Sequence, residues 1–245
     1  MENREEVYST KEGVVSLDSP TKNKILDLLR ESNKTGTEIR DEINKSKSTI
    51  SVHLSDLKQK GLIKEKKHPS DDRKKIYSLS SKLVGKAKAP RDKHYKEILQ
   101  NIQKTSGDEY NFLKNLFHVI RYGLSSFGLD IHPALKEMGR DVGKSIAPTL
   151  NAKNFEELLS EIKDFWKENG LGNATIEENK YLVVRDCFDC SEMPNVNTTL
   201  CSLDEGIIEG IISQKLDLEV EVKEKECFGL GDNHCKFEIS EVPSS

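Results

Sequence analysis

With 245 residues the chain exceeds the usual size of one domain, so two domains are expected, each large enough to bury its own core. No stretch approaches the roughly 20 apolar residues of a membrane helix. The opening MENREEVYST also lacks the apolar region of a secretion signal, which predicts a soluble, cytoplasmic protein with no membrane partner. The net charge of −4 conceals an asymmetry: residues 1 to 88 hold 20 Lys and Arg against 14 Asp and Glu, a balance of +6, so the remainder stands at −10. That is the arrangement expected when one domain meets a polyanion and the other does not.

Asp18-Ser19-Pro20 reads as a helix start, with Ser19 as cap and Pro20 at the first helical position, followed by the apolar face Ile25, Leu26, Leu28 and Leu29. TGTEIRDEI places Ile39 and Ile43 four apart, Asn44-Lys45 makes a turn, and SKSTISVHLSDLKQKG is a further helix. In it Ser46 caps, Ile50, Leu54 and Leu57 share a face, and Gly61 closes the end. LIKEKKHPSDDRKKIYSLS then reads as a hairpin turning at Pro69-Ser70-Asp71-Asp72. The whole is a winged helix-turn-helix pattern.

On the outer side of the second helix lie Lys45, Lys47, Ser48, Thr49, Ser51, Val52 and His53, small donors and cations suited to a major groove. The wing adds Lys64, Lys66, Lys67, Arg73, Lys74 and Lys75, suited to phosphate contacts. This stretch, from about 18 to 80, resembles the arsenic-repressor-type winged helices of bacterial and archaeal transcription regulators. The resemblance implies a homodimer on a two-fold, double-stranded DNA operator.

Pro90 breaks the chain, after which Tyr95, Ile98, Leu99 and Ile102 form a helical stripe. That stripe packs either on its own copy in a dimer or within the chain. Three helical patterns follow. Residues 109 to 126 carry Phe112, Leu113, Leu116, Phe117 and Ile120; 133 to 150 carry Leu135, Met138, Val142 and Ile146 beside Gly139, Gly143 and Ala147; 154 to 169 carry Phe155, Leu158, Leu159, Ile162, Phe165 and Trp166. All three stripes are expected to be core. From Gly172 the period becomes that of strands, reading as hairpin, helix and hairpin. The fold class expected is α+β: a winged helix-turn-helix over 1–88, a linker helix over 89–108 and an α/β sensor domain over 109–245.

All five cysteines lie in that last part. In a reducing compartment an odd number of them argues against a disulfide framework and for metal ligation, reversible oxidation or burial. KEKECFGLGDNHCKFEI resembles the closing hairpin of the 4-vinyl reductase (4VR) domain, related to the aromatic-sensing domains of bacterial activators. In those activators three cysteines and a glutamate hold zinc, and the matching positions are Cys201, Glu224, Cys227 and Cys235. Gly229 and Gly231 would tighten the loop. On an alternating strand, however, Glu224 and Cys227 face opposite sides unless a bulge intervenes. The leftover pair, Cys187 and Cys190, is the candidate redox switch, either dithiol or metal ligands.

A winged helix joined to a 4VR domain with surplus cysteines resembles the redox-responsive transcription regulators of methanogenic archaea. The function expected is therefore redox-controlled, sequence-specific DNA binding with a structural zinc and no enzymatic activity. Two alternatives stand beside it: a regulator sensing an aromatic or lipid-like molecule in its helical half, and an enzyme on a vinyl or tetrapyrrole substrate. No acid–base pair, nucleotide loop or open metal position supports the enzyme.

Overall fold

The computed structural model describes residues 5–90, 92–105 and 107–242, and the chain divides into two compact units, Met1–Lys88 and Ala89–Ser244. In the first unit, strands β1 (Glu6–Thr10) and β2 (Gly13–Leu17) form a hairpin. Helices α1 (Pro20–Glu31), α2 (Gly36–Ile43) and α3 (Lys47–Gln59) follow, with β3 (Lys34–Thr35) between the first two. The wing is β4 (Ile63–His68) and β5 (Asp71–Leu79), and β6 (Lys82–Ala87) ends the unit. β3, β5 and β4 make one antiparallel sheet, while β6 pairs with β1.

The helices meet where the periodicity places them: Ile25, Leu26, Leu29, Ile39, Ile50, Leu54 and Leu57 are buried together with Leu62 and Ile63. The chain leaves α3 through Gly61 at φ 69°, a left-handed conformation that costs glycine little. Ser46 caps α3 by accepting from the Thr49 amide at 3.2 Å, whereas Ser19 makes no side-chain cap bond to α1, which rests on Pro20 instead. The sheet β2-β1-β6 is not expected from the sequence: its strands are short, and Tyr8 and Leu17 are its only fully buried apolar side chains among the described residues.

α2 begins with a capping box. The Glu38 amide donates to Thr35 Oγ1 at 3.3 Å, and the Thr35 amide donates to Glu38 Oε2 at 2.6 Å. Thr35→Ala is expected to cost about 1 kcal/mol of the first unit's stability, measured by denaturant unfolding followed by circular dichroism.

The second unit opens with α4 (Asp92–Ile102) and α5 (Glu109–Ser126), then the short β7 (Leu129–Asp130), α6 (His132–Ile146) and α7 (Phe155–Glu168). β8 (Asn173–Glu177), β9 (Tyr181–Arg185), α8 (Ser202–Leu216), β10 (Val220–Glu226) and β11 (Cys235–Glu241) complete it. The four strands form an antiparallel sheet in the order β10-β11-β9-β8. Leu158, Ile162 and Trp166 of α7, Ile208 and Ile211 of α8, and Leu182, Val222 and Phe237 of the sheet share its core. Part of the α4 stripe is answered within the chain, while Leu99 is exposed. Ile98 is fully buried, and Tyr95 lies against Gly123 of α5, whose added Cβ would meet the ring at 3.3 Å.

Two helical stripes expected in the core are turned outward. In α5, Leu113 is 64% and Ile120 57% exposed, Phe112 and Leu116 are also exposed, and the buried residues include Lys114, Asn115, His118, Arg121 and Tyr122. In α6, Met138 and Val142 are exposed while Leu135, Gly139 and Gly143 are buried. α6 buries its glycine face because α8 brings its own glycines, Gly206 and Gly210, against it. A Cβ at any of the four would lie 2.1 to 2.2 Å from a carbonyl oxygen of the facing helix. The two backbones therefore touch, and Glu209, buried beside them, is held by Lys136 at 2.8 Å and Arg140 at 2.7 Å.

Candidate metal centre and nucleic-acid interface

Five cysteines distant in sequence converge in the second unit. Cys187 and Cys190 lie in the turn after β9, Cys201 is the N-cap of α8, Cys227 follows β10 and Cys235 opens β11. The clamp and the leftover pair form one cluster: each of the five cysteines is at most 1% exposed. Cys190 Sγ lies 3.1 Å from Cys235 Sγ, 3.3 Å from Cys201 Sγ and 3.9 Å from Cys227 Sγ. Cys201 Sγ is 3.8 Å from Cys235 Sγ and 3.7 Å from Cys187 Sγ.

Glu224 belongs to the same group. The register of β10 on β11 slips between Glu224 and Glu226, and this bulge brings Glu224 and Cys227 to one side despite their odd spacing. Its Oε2 accepts from the amides of Leu200 and Cys201, both at 3.0 Å, and Oε1 is buried with no hydrogen-bond partner. Burial pushes this carboxyl up to about 9, so it carries a proton at neutral pH unless a cation faces it. The loop is tight, since a Cβ on Gly229 would lie 2.4 Å from the Thr198 carbonyl and Gly231 sits at φ 101°. Ligand atoms of Cys190, Cys201, Glu224, Cys227 and Cys235 all lie within 4.8 Å of one another.

That set fits a tetrahedral ion. Zinc–sulfur bonds of about 2.3 Å put the ligand sulfurs about 3.8 Å apart, and two of the separations, 3.8 and 3.9 Å, lie at that edge while those of 3.1 and 3.3 Å are shorter. Four of the donors are thiols, and the fifth, Glu224, presents an orphaned oxygen. The signal missed in the sequence is Cys190: a C-x-x-C pair looks self-contained until β9 and β11 pair, with Cys235 opposite Val184.

Also illegible in the sequence is the buried face of α5, which grips the segment carrying Cys187 and Cys190. Arg121 donates through Nη1 to Asp189 Oδ2, Lys114 pairs with Glu192 at 3.1 Å, and the Tyr110 ring meets Phe188 edge-on at 5.6 Å. His118 Nε2 stands 3.8 Å from Asp189 Oδ1, and burial pulls its imidazole down to about 4, so it is neutral there. This explains the outward apolar stripe of α5: the charges of the Asp189 segment claim its other face.

In the first unit, Lys45, Lys47, Ser48, Thr49, Ser51 and Val52 are exposed on and before α3, Val52 at 66%. His53 departs from that face, being half-buried with Nδ1 enclosed. The Thr49 and Ser48 hydroxyls lie 2.8 and 2.9 Å from Ser46 Oγ, within the cap. On the wing Lys66, Lys67, Arg73, Lys74 and Lys75 are exposed; Lys75 pairs with Glu65 at 3.0 Å and Arg73 with Asp71 at 3.2 Å. Exposed pairs of this kind are weak and readily exchanged for phosphate.

Residues 19–65 match the family model of bacterial regulatory proteins of the arsR family, and residues 181–241 match that of the V4R domain. Uncharacterized protein MJ0150 of Methanocaldococcus jannaschii is 34% identical over 125 residues, 50% of this chain and 72% of that protein. The chain belongs to the V4R family. Its V4R domain follows an arsR-type helix-turn-helix, which points to a DNA-binding regulator. Uncharacterized protein MJ1642 of the same organism is 34% identical over 99 residues, covering 40% of this chain and 59% of that protein. A crystal structure of a vinyl-4-reductase family protein from M. jannaschii is 21% identical, with a TM-score of 0.39, covering 62% of this chain and 96% of that one. Among the described residues of this V4R protein, no helix is long and apolar enough to cross a membrane.

Proposed function

We propose that this V4R protein is a homodimeric transcription regulator whose thiol centre responds to redox state and controls DNA binding by the helix-turn-helix. The observation that carries the reading is the convergence of all five buried cysteines in the unit that follows a helix-turn-helix with an exposed cationic face. Zinc would be held by Cys190, Cys201, Cys227 and Cys235, with Glu224 beside them, a set that adds Cys190 to the family-type ligands. Zinc bound there would supply a structural clamp and keep its sulfurs as thiolates.

Oxidation follows from the same closeness. In the metal-free protein two cysteine thiols such as Cys190 and Cys235, 3.1 Å apart, can give up two protons and two electrons to a peroxide or a low-molecular-weight disulfide and form one S–S bond. Burial of all five makes this slow and dependent on local opening. The change would be felt by α5, because Asp189 and Phe188 of the Cys187–Cys190 turn are what Arg121 and Tyr110 hold.

Gel-shift titration with and without reductant, on wild type and on the double variant Cys187→Ser/Cys190→Ser, tests this. Wild-type affinity is expected to change with reductant and the double variant's to change less. Equal binding in all four conditions rejects the redox reading. On the DNA side, Arg73→Ala is expected to weaken binding alike on all sequences and to reduce the slope of log K against log salt by about 0.9, read from gel shifts at several salt concentrations. A small-molecule reading has one observation of its own, an open groove beside α6 lined by Val142, Ile146 and Phe165. DNA binding indifferent to reductant, with an aromatic ligand shifting it, would favour that reading.

A further inference from the structure

The four-thiolate set leaves Cys187 over, and Cys187 is not isolated. Its Sγ is 3.7 Å from Cys201 Sγ, and a carboxylate oxygen of Asp204 completes a group whose three ligand atoms lie within 4.8 Å of one another. Cys187 is 1% and Asp204 8% exposed. One helix start delivers two of the donors, since Cys201 caps α8 and Asp204 is three residues on, in its first turn. The nearby buried cation, Arg121, is hydrogen-bonded to Asp189.

We propose that Cys187, Cys201 and Asp204 bind a second divalent cation of the soft d¹⁰ class, Zn²⁺ or Cd²⁺, with the Cys201 thiolate bridging the two ions. The inference rests on the four-thiolate reading of the first site. Thiolates select this class over magnesium or calcium, and the two sulfurs and one oxygen grouped here are one fewer than the four ligands of a closed tetrahedral site. The second ion is therefore the exchangeable one. The ion is held by the Cys187 thiolate and the Asp204 carboxylate, so any proton either group carries leaves as the ion enters. Metal availability thus acts on the Cys187–Cys190 turn through an ion distinct from the clamp.

The test is metal stoichiometry of the full-length protein, prepared anaerobically and titrated with Zn²⁺ against a chromophoric chelator. Wild type is expected to bind two ions in two separate steps, and Cys187→Ser and Asp204→Asn one ion each, the tighter step remaining within about threefold. Replacement with ¹¹³Cd is expected to give two resonances, one of all-sulfur and one of mixed sulfur–oxygen coordination, of which Asp204→Asn removes only the second. Wild type saturating at one ion overturns the second site and leaves the first; wild type binding none overturns both. Variants that still bind two ions, or that both lose both, overturn the assignment of Cys187 and Asp204.

Discussion

Gly206→Val is expected to unfold the V4R unit or to destabilise it by more than about 4 kcal/mol, most of the margin that an ordinary domain possesses. The added Cβ would lie 2.1 Å from the Lys136 carbonyl oxygen and 2.9 Å from the Arg140 amide nitrogen, both backbone atoms that no rotamer change can move. Relief requires α6 and α8 to separate toward the 8 to 10 Å of ordinary helix pairs. That movement strips Lys136 and Arg140 from Glu209, which is 4% exposed and would become an uncompensated buried charge. Guanidinium unfolding followed by the fluorescence of Trp166, the chain's one tryptophan and buried in this unit, reads the change directly. A midpoint within about 0.5 kcal/mol of wild type would show that the helix pair is not in close contact.

Cys190→Ser is expected to lower zinc affinity at least about 100-fold, whereas Glu224→Gln should lower it about 10-fold, the effect typical of an outer-shell partner. The difference follows from geometry. Cys190 is within 3.9 Å of three other cysteine sulfurs, while one oxygen of Glu224 is already occupied by the Leu200 and Cys201 amides. Chelator competition supplies the affinities. Trp166 unfolding with and without chelator shows whether the clamp contributes stability, with a loss of several kcal/mol expected on metal removal. The reverse ranking, Glu224→Gln the more damaging, would return the site to three cysteines and a glutamate and free Cys190 for the switch.

Local signals were read well from the chain. Pro20, Ser46 and Gly61 mark helix ends, and Ile25, Ile39, Ile50 and Leu57 turn inward because each helix of the first unit meets another apolar face. The β2-β1-β6 sheet left little trace, since strands with so few buried apolar residues lack the alternation that marks a half-buried strand. Of the candidate centre, Cys201, Glu224, Cys227 and Cys235 came from the resemblance to the 4VR hairpin, not from periodicity. Strand alternation argued against Glu224, and only the slipped register resolves that conflict.

The sequence alone determined the helices and wing of the helix-turn-helix, the cationic surface of α3 and the wing, and the presence of a thiol-rich closing hairpin, because these depend on neighbours a few residues apart. Which face of α5 and α6 is buried was decided by the tertiary structure. An amphipathic helix buries whichever side its partners satisfy, and here those partners are the Asp189 segment and the glycines of α8. The joining of five cysteines into one centre was decided there as well. It requires the pairing of β9 with β11 and the placement of the α8 N-terminus against β10, contacts that chain spacing does not encode.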